Sequence, residues 1–324
     1  MNQAAWEMSQ NPGRLGLSTM AMAAEQENVD DRRANEFNSY RGLLFSLAYR
    51  MLGSVADAED ILQEAFIRWH RAADTEIESP RAFLVTVVSR LCINHLQSAR
   101  VRREEYVGQW LPEPIVSDPN KDPLALSRMD ESLSMAFLVL LERLAPVERA
   151  VFLLREVFDF DYSKIAEVLG KDEANCRQIL RRARQHMAEL RPRFEASAER
   201  REELLTKFLD ATATGELERL VALLSQDAVL HSDGGGKAPA VPNLVMGPDH
   251  VARAITGALK KLVPKNLVRR MAQVNGNPGV VAYLEGRPFA ALTLDVVHDK
   301  IRTIYLVTNP EKLAHLDSWP PAPC

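Results

Sequence analysis

The stretch R-G-L-L-F-S-L-A-Y-R-M-L-G-S-V-A-D-A-E-D-I-L-Q-E-A-F-I-R-W-H-R, Arg41 to Arg71, decides how the N-terminal half is read. It divides into two helices at Gly53–Ser54, because glycine ends a helix and serine starts the next turn. Leu44, Leu47, Ala48 and Met51 form the apolar stripe of the first helix. Ala58, Ile61, Leu62, Ala65, Phe66 and Trp69 keep helical spacing on the second. Packing does not require the opposite face, where Asp57, Asp60 and Glu64 recur three and four residues apart and Arg68 and Arg71 follow. On periodicity alone this face is exposed, and it is either a solvated charged face or a docking face.

Composition sets the frame. A chain of 324 residues has room for two or three domains of roughly 100–200 residues each. With 46% hydrophobic and 26% charged residues it reads as globular. The formal net charge of −4 argues against a uniformly DNA-binding surface, so any basic face must be local. Cys92, Cys176 and Cys324 have no metal-ligand spacing and read as reduced thiols of a cytoplasmic protein. There is no apolar run of membrane-spanning length and no signal-peptide pattern at the start. Residues 1–34 are expected to be a disordered tail.

The string G-S-V-A-D-A-E-D-I-L-Q-E-A-F resembles the second region of bacterial sigma factors of the extracytoplasmic-function type. That resemblance implies that Asp60, Gln63, Glu64 and Arg68 face core RNA polymerase. Pro80 opens a further helix after Ser79, with Phe83, Leu84, Val87, Val88, Leu91 and Cys92 inside. Its far side carries Arg81, Arg90, Asn94, Arg100, Arg102 and Arg103, a one-sided basic face suited to phosphates. In the resemblance this element melts and reads the −10 promoter element, with Asn94 and His95 near a flipped base. His95 read by itself is equally an ordinary, partly buried histidine.

Residues 105–127 form a proline-rich linker. Within it W-L-P-E-P, with Trp110, Pro112 and Pro114, reads as an extended segment whose tryptophan needs a covering surface. That surface is either the second-region helices or another domain of this chain. An amphipathic helix is expected over Leu124–Leu144, then another from Pro146. Ser163 to Leu169, Gly170, and a helix opened by Asp172 have the layout of a helix-turn-helix. The second of these helices presents Asn175, Arg177, Gln178, Arg181, Arg182 and Arg184. Arg and Gln suit base edges, and the later arginines suit phosphates. The stretch resembles the fourth region of sigma factors, which reads the −35 element, with Asn175-Cys176 as a departure from the smaller or hydroxyl residues common there.

After a charged hinge at Pro192–Arg201, helices give way to strands at 227–232, 266–275, 279–284, 289–298 and 301–308. Asp299–Lys300 is expected as a hairpin turn. This is an α+β arrangement with a curved antiparallel sheet and a cone-like cavity, and it resembles SnoaL-like domains. His231, Asp233, Asp295 and His298 are the available acid–base candidates, without the spacing of a metal site or a nucleophile triad. D-G-G-G-K (Asp233, Gly234, Gly235, Gly236, Lys237) is either a floppy loop or a backbone built for close approach. N-P-E-K-L (Asn309, Pro310, Lys312, Leu313) reads as a capped helix start. Together with W-L-P-E-P, these motifs resemble the group of extracytoplasmic-function sigma factors fused to a SnoaL-like domain.

The expectation is a multi-domain chain of two all-α sigma domains, 35–104 and 128–192, followed by an α+β SnoaL-like regulatory domain, 200–319. The resemblance implies a non-enzymatic protein, monomeric when free, whose partners are core RNA polymerase and promoter DNA. No cofactor is expected, and a small molecule in the cone is an open option. The alternative is a ligand-sensing helix-turn-helix regulator that does not dock on polymerase.

Overall fold

The computed structural model describes residues 12–72, 77–104, 106–117, 133–188, 196–264 and 266–319, with side chains from residue 31 onward except 99–104. Helix α1 (Pro12–Leu52) ends at Gly53, whose φ of +69° suits a residue without a side chain. Helix α2 (Val55–Arg71) starts at Ser54, whose hydroxyl accepts from the Asp57 amide at 3.1 Å. Helix α3 is Pro80–Glu104. Residues 12–34 are helical where a disordered tail was expected, and residues 1–11 lie outside the described residues. The run Met20–Gln26 is made of good helix formers without an apolar stripe, so periodicity did not reveal it. Arg33 holds the helix to α2, donating to the Trp69 carbonyl at 2.5 Å and lying 4.1 Å over the indole.

The second helical module contains α4 (Met135–Leu141), α5 (Pro146–Phe152, prolonged by a π turn, Leu153–Val157), α6 (Tyr162–Leu169) and α7 (Glu173–Ala188). Of the helix expected over Leu124–Leu144, residues 124–132 lie outside the described residues. Ser134 caps the part that is seen. Asp161, and not Ser163, is the N-cap position of α6, and Gly170 closes it with φ +61°. Buried residues of the two modules form one continuous core, from Phe37 and Trp69 through Val88 to Ile165 and Leu180. Arg149, almost wholly buried, fastens them by donating to the Met51 carbonyl at 2.5 Å and to Glu142 at 2.8 Å.

The C-terminal domain has helices α8 (Ala198–Thr214), α9 (Leu217–Leu223) and α10 (Pro248–Leu262), and it ends in α11 (Pro310–Leu313). Its strands are β2 (Leu224–Asp233), β3 (Val245–Met246), β4 (Val268–Val274), β5 (Asn277–Leu284), β6 (Arg287–Val297) and β7 (Lys300–Val307). The linker adds β1 (Val116–Ser117), giving a seven-stranded sheet of order β1-β4-β5-β6-β7-β2-β3. The sheet is mixed: β2 runs parallel to β7, with His231 beside Tyr305, and the other pairs are antiparallel. The β6–β7 turn sits one residue earlier than expected. His298 and Asp299, at φ +50° and +58°, are its central pair, as a type I′ turn demands.

Alternation assigns the two sheet faces. Leu230, Val280, Leu294 and Ile304 pack under α8, α9 and α10 with Leu205, Phe208, Leu220 and Val251. Tyr305, Ala291 and Val307 turn the other way, toward Leu111 of the linker, Met135 of α4 and Leu313. The second face is the one that meets the rest of the chain.

Candidate functional site

On α2, burial of Ala58, Ile61, Leu62, Ala65 and Trp69 leaves Asp60 and Gln63 exposed, with Glu64 half exposed and joined to the exposed Arg68 at 2.8 Å. All four residues expected to face polymerase therefore share one solvent face. Asp57 is drawn off it by His95 of α3, 3.6 Å away.

The basic face of α3 is divided. Asn94 is exposed and His95 half buried against Asp57. Arg90 donates to the carbonyls of Val168 at 2.8 Å and Glu167 at 3.2 Å, at the C-terminus of α6. Cations are favoured there because the last helical carbonyls lack partners. Arg81 lies 4.8 Å over the Phe160 ring. In this arrangement Arg81 and Arg90 of the face expected to meet DNA hold the helix-turn-helix module. The side chains of Arg100, Arg102 and Arg103 lie outside the described residues.

On α7, Asp172 accepts from the Asn175 amide at 2.8 Å, and Cys176, Ile179, Leu180, Ala183 and Met187 are buried. Cys176 is thus a small core residue, and burial pushes its thiol pKa up. Arg177, Gln178, Arg181, Arg182 and Arg184 are exposed, and Asn175 is half exposed. Arg177 pairs with Glu173 at 2.6 Å and Arg184 with Glu156 at 2.7 Å. Exposed pairs of this kind contribute only about 0–1 kcal/mol, so phosphates can displace them.

The three motifs of the linker and C-terminal domain converge on Asp233, which has no solvent exposure. Its Oδ1 accepts from the Tyr106 hydroxyl at 2.6 Å and the Gly235 amide at 3.0 Å. Its Oδ2 accepts from the Leu111 amide at 2.8 Å and Lys312 Nζ at 2.7 Å. Lys312 also donates to the Leu111 carbonyl and lies 4.1 Å over the Trp110 ring. Asn309 caps α11 through the Glu311 amide at 3.0 Å and donates to Tyr106 at 2.9 Å. Burial, then the neighbouring Asp233, drives the Tyr106 phenol pKa up. A Cβ on Gly235 would strike the Asn309 amide, and one on Gly236 would come within 3.0 Å of Val107. Of the two readings of D-G-G-G-K, close backbone approach holds. Lys237 pairs with Glu311 at the surface.

The same linker segment also grips the first helical module, so both surfaces expected for it, the second-region helices and another domain, cover it. Glu113 caps α2: Oε2 accepts from the Val55 amide at 2.7 Å and the Ala56 amide at 3.3 Å, and Oε1 from Ser54 at 3.0 Å. Its amide donates to the Gly53 carbonyl at 2.8 Å, and its carbonyl accepts from Tyr49 at 2.6 Å. A Cβ on Gly53 would lie 2.5 Å from the Trp110 ring. Pro112 and Pro114 are buried without an amide N–H to satisfy. Asn275 completes the junction, donating to Tyr49 at 2.7 Å and exchanging hydrogen bonds with Ile115. His315 meets the Pro114 carbonyl at 2.9 Å.

The acid–base candidates do not gather in a cone. Asp233 belongs to the linker junction, and His298 is exposed in a turn. His231 shares Asp233's sheet face, stacked on Tyr305 with ring centres 5.5 Å apart. Burial, and then the charge of Arg143, lower its pKa to about 4. Asp295, across from Thr303, has its pKa raised by burial. These side chains project away from the apolar face beneath the helices.

Comparison with known proteins follows these divisions. The Sigma-70 region 2 family model matches residues 37–102, and the Sigma-70 region 4 model matches residues 134–187. The ECF RNA polymerase sigma factor SigJ of Mycobacterium tuberculosis is 39% identical over 290 residues, covering 86% of this chain and 92% of the relative. The probable ECF RNA polymerase sigma factor SigI of the same species is 32% identical over 279 residues, covering 86% and 93%. The crystal structure of SigJ, which has a C-terminal SnoaL-like domain, aligns with a TM-score of 0.71 and 37% identity over 87% of this chain and 98% of that one. Two sigma regions in one chain disfavour a regulator that works without polymerase. The chain belongs to the extracytoplasmic-function RNA polymerase sigma factors, with a SnoaL-like domain at its C-terminal end.

Proposed function

We propose that the C-terminal domain of this sigma factor controls promoter recognition in cis, through the linker it holds. The observation that carries this reading is the double engagement of Trp110–Pro114. Leu111 of the segment is bound by Asp233 and Lys312, and Glu113 of the same segment caps α2. The working units are 35–104, 128–192 and 200–319, joined by the linker at 105–127. In the free chain Arg90 ties α3 to α6, and in this reading promoter binding by α3 and α7 requires that contact to open. Docking of Asp60, Gln63, Glu64 and Arg68 on core polymerase then favours the open form. Arg90, Asn94, His95 and the arginines that follow serve one promoter element, and Asn175 to Arg184 serve the other. The protein acts in the cytoplasm, as a monomer until it meets polymerase, and without enzymatic activity of its own. Any small molecule accepted under α8–α10 would be apolar, as that face is.

In vitro transcription with core polymerase tests this reading, using the intact chain, one ending at Pro192 and one ending at Thr308. The short chain should lose transcription. The longer one lacks Asn309, Lys312 and Leu313 but keeps the sheet, and should match or exceed the intact protein. A chain ending at Pro192 that transcribes as well as the intact one would make the third domain a passenger.

A further inference from the structure

From His250 to Leu284 the chain has six basic residues and no carboxylate, although the whole protein carries a net charge of −4. The structure spreads this excess over one end of the C-terminal domain. Val251 and Ala252 face the core of α10, and Arg253, Lys260 and Lys261 lie on its exposed side. Arg253 and Lys260 are seven residues apart, two turns and about 10 Å along the axis. Lys265 follows, outside the described residues, and β4 then presents Arg269 opposite Ala282 of β5. Arg287 begins β6 opposite Leu284, at the same end of the sheet.

Arg253, Lys260, Lys261, Arg269 and Arg287 are all exposed, and among the described residues none has a side-chain ion pair or hydrogen bond. Elsewhere in the domain several exposed cations are paired: Lys207 with Glu203 at 2.6 Å, Arg219 with Glu216 at 3.2 Å, and Lys237 with Glu311. The helix dipole favours Lys260 and Lys261 at the end of α10 but says nothing of Arg253, Arg269 or Arg287. Five cations without ion pairs, with Glu285 of the β5–β6 turn as the carboxylate beside Arg287, are spread over a helix and two strands and do not make a pocket for one small anion. The exposed apolar side chains beside them, Leu262, Val268 and Met271, include no aromatic anchor of the kind that dominates protein–protein contacts. Separated cations on an open surface suit a string of phosphates.

We infer that this end of the C-terminal domain is a sequence-independent contact for the phosphate backbone of the promoter duplex, additional to the two sigma reading modules. It adds affinity without specifying sequence.

The test is equilibrium promoter binding by holoenzyme, assembled from the full chain and core polymerase, across a salt series. Lys260→Gln with Lys261→Gln is compared with Lys207→Gln plus Arg219→Gln, which removes the same charge from paired positions. The first variant should lower the slope of log K against log salt by about 2, roughly 0.9 for each phosphate no longer neutralised. The second should leave the slope unchanged, and Lys260→Arg with Lys261→Arg should retain it. Affinity for core polymerase should be the same for all. Equal slopes for the two neutralised variants would overturn the inference. So would a loss of core affinity at unchanged slope, which would assign the surface to polymerase.

Discussion

Asp233 accepts four hydrogen bonds, from Tyr106, Leu111, Gly235 and Lys312, filling the roughly four lone-pair sites of a carboxylate. Removing one partner of a buried pair costs about 3–5 kcal/mol, because the remaining charge stays out of water. This is how one residue ties a loop, a linker and a terminal helix together. Gly53 works by what it lacks. Gly53→Ala would place a Cβ into the Trp110 ring at a positive φ, and should destabilise the chain by more than about 1 kcal/mol in denaturant unfolding. His231 gives a pH-dependent prediction. The unfolded chain takes up a proton near the ordinary histidine value of 6.5, but the folded chain only near 4. Acidification through that window therefore favours unfolding, and the stability present above it is lost as the pH falls. His231→Gln should show a smaller drop in denaturation midpoint between pH 7 and pH 5 than the parent. An equal drop would mean that His231 does not set this dependence.

At the scale of elements, α2 and α7 carry the predictions that separate docking from reading. Asp60→Lys with Glu64→Lys should weaken binding of core polymerase roughly tenfold or more, about 1.4 kcal/mol, with the fold intact by circular dichroism. Undiminished capture of polymerase by the folded variant would remove the basis for that face. Arg177→Ala or Gln178→Ala should relax sequence choice at one promoter element by about 1–3 kcal/mol for each bidentate pairing to a base edge that is removed. Arg184→Ala should weaken binding evenly and lower its salt dependence. If all three act alike on every promoter, the division of roles fails. Elements with local signals were legible: Gly53–Ser54, Gly170–Asp172 and the stripe of α2 rest on turn chemistry and a period of 3.6. Those fixed by tertiary partners were not. A two-residue strand such as β1 has no period, and the parallel pairing of β2 with β7 joins segments distant in the chain, His231 beside Tyr305. Nothing in W-L-P-E-P marks Glu113 as the cap of a helix 58 residues earlier.

Across the whole molecule, the linker is a shared part. Trp110 to Ser117 is bound first by Asp233 and Lys312, then by the α1–α2 junction, and finally by the edge of β4. Because Lys312 and the α2 N-terminus both grip the segment Trp110–Pro114, loosening one should be felt at the other. Hydrogen–deuterium exchange on the full-length chain, intact and with Lys312→Met, measures that coupling most directly. A shared linker predicts that the variant loses protection at the Leu111 amide and also, across the interface, at the Glu113, Val55 and Ala56 amides, while the amides of α7 stay protected. Loss confined to Leu111 and the C-terminal domain, with Val55 and Ala56 protected as before, would contradict it.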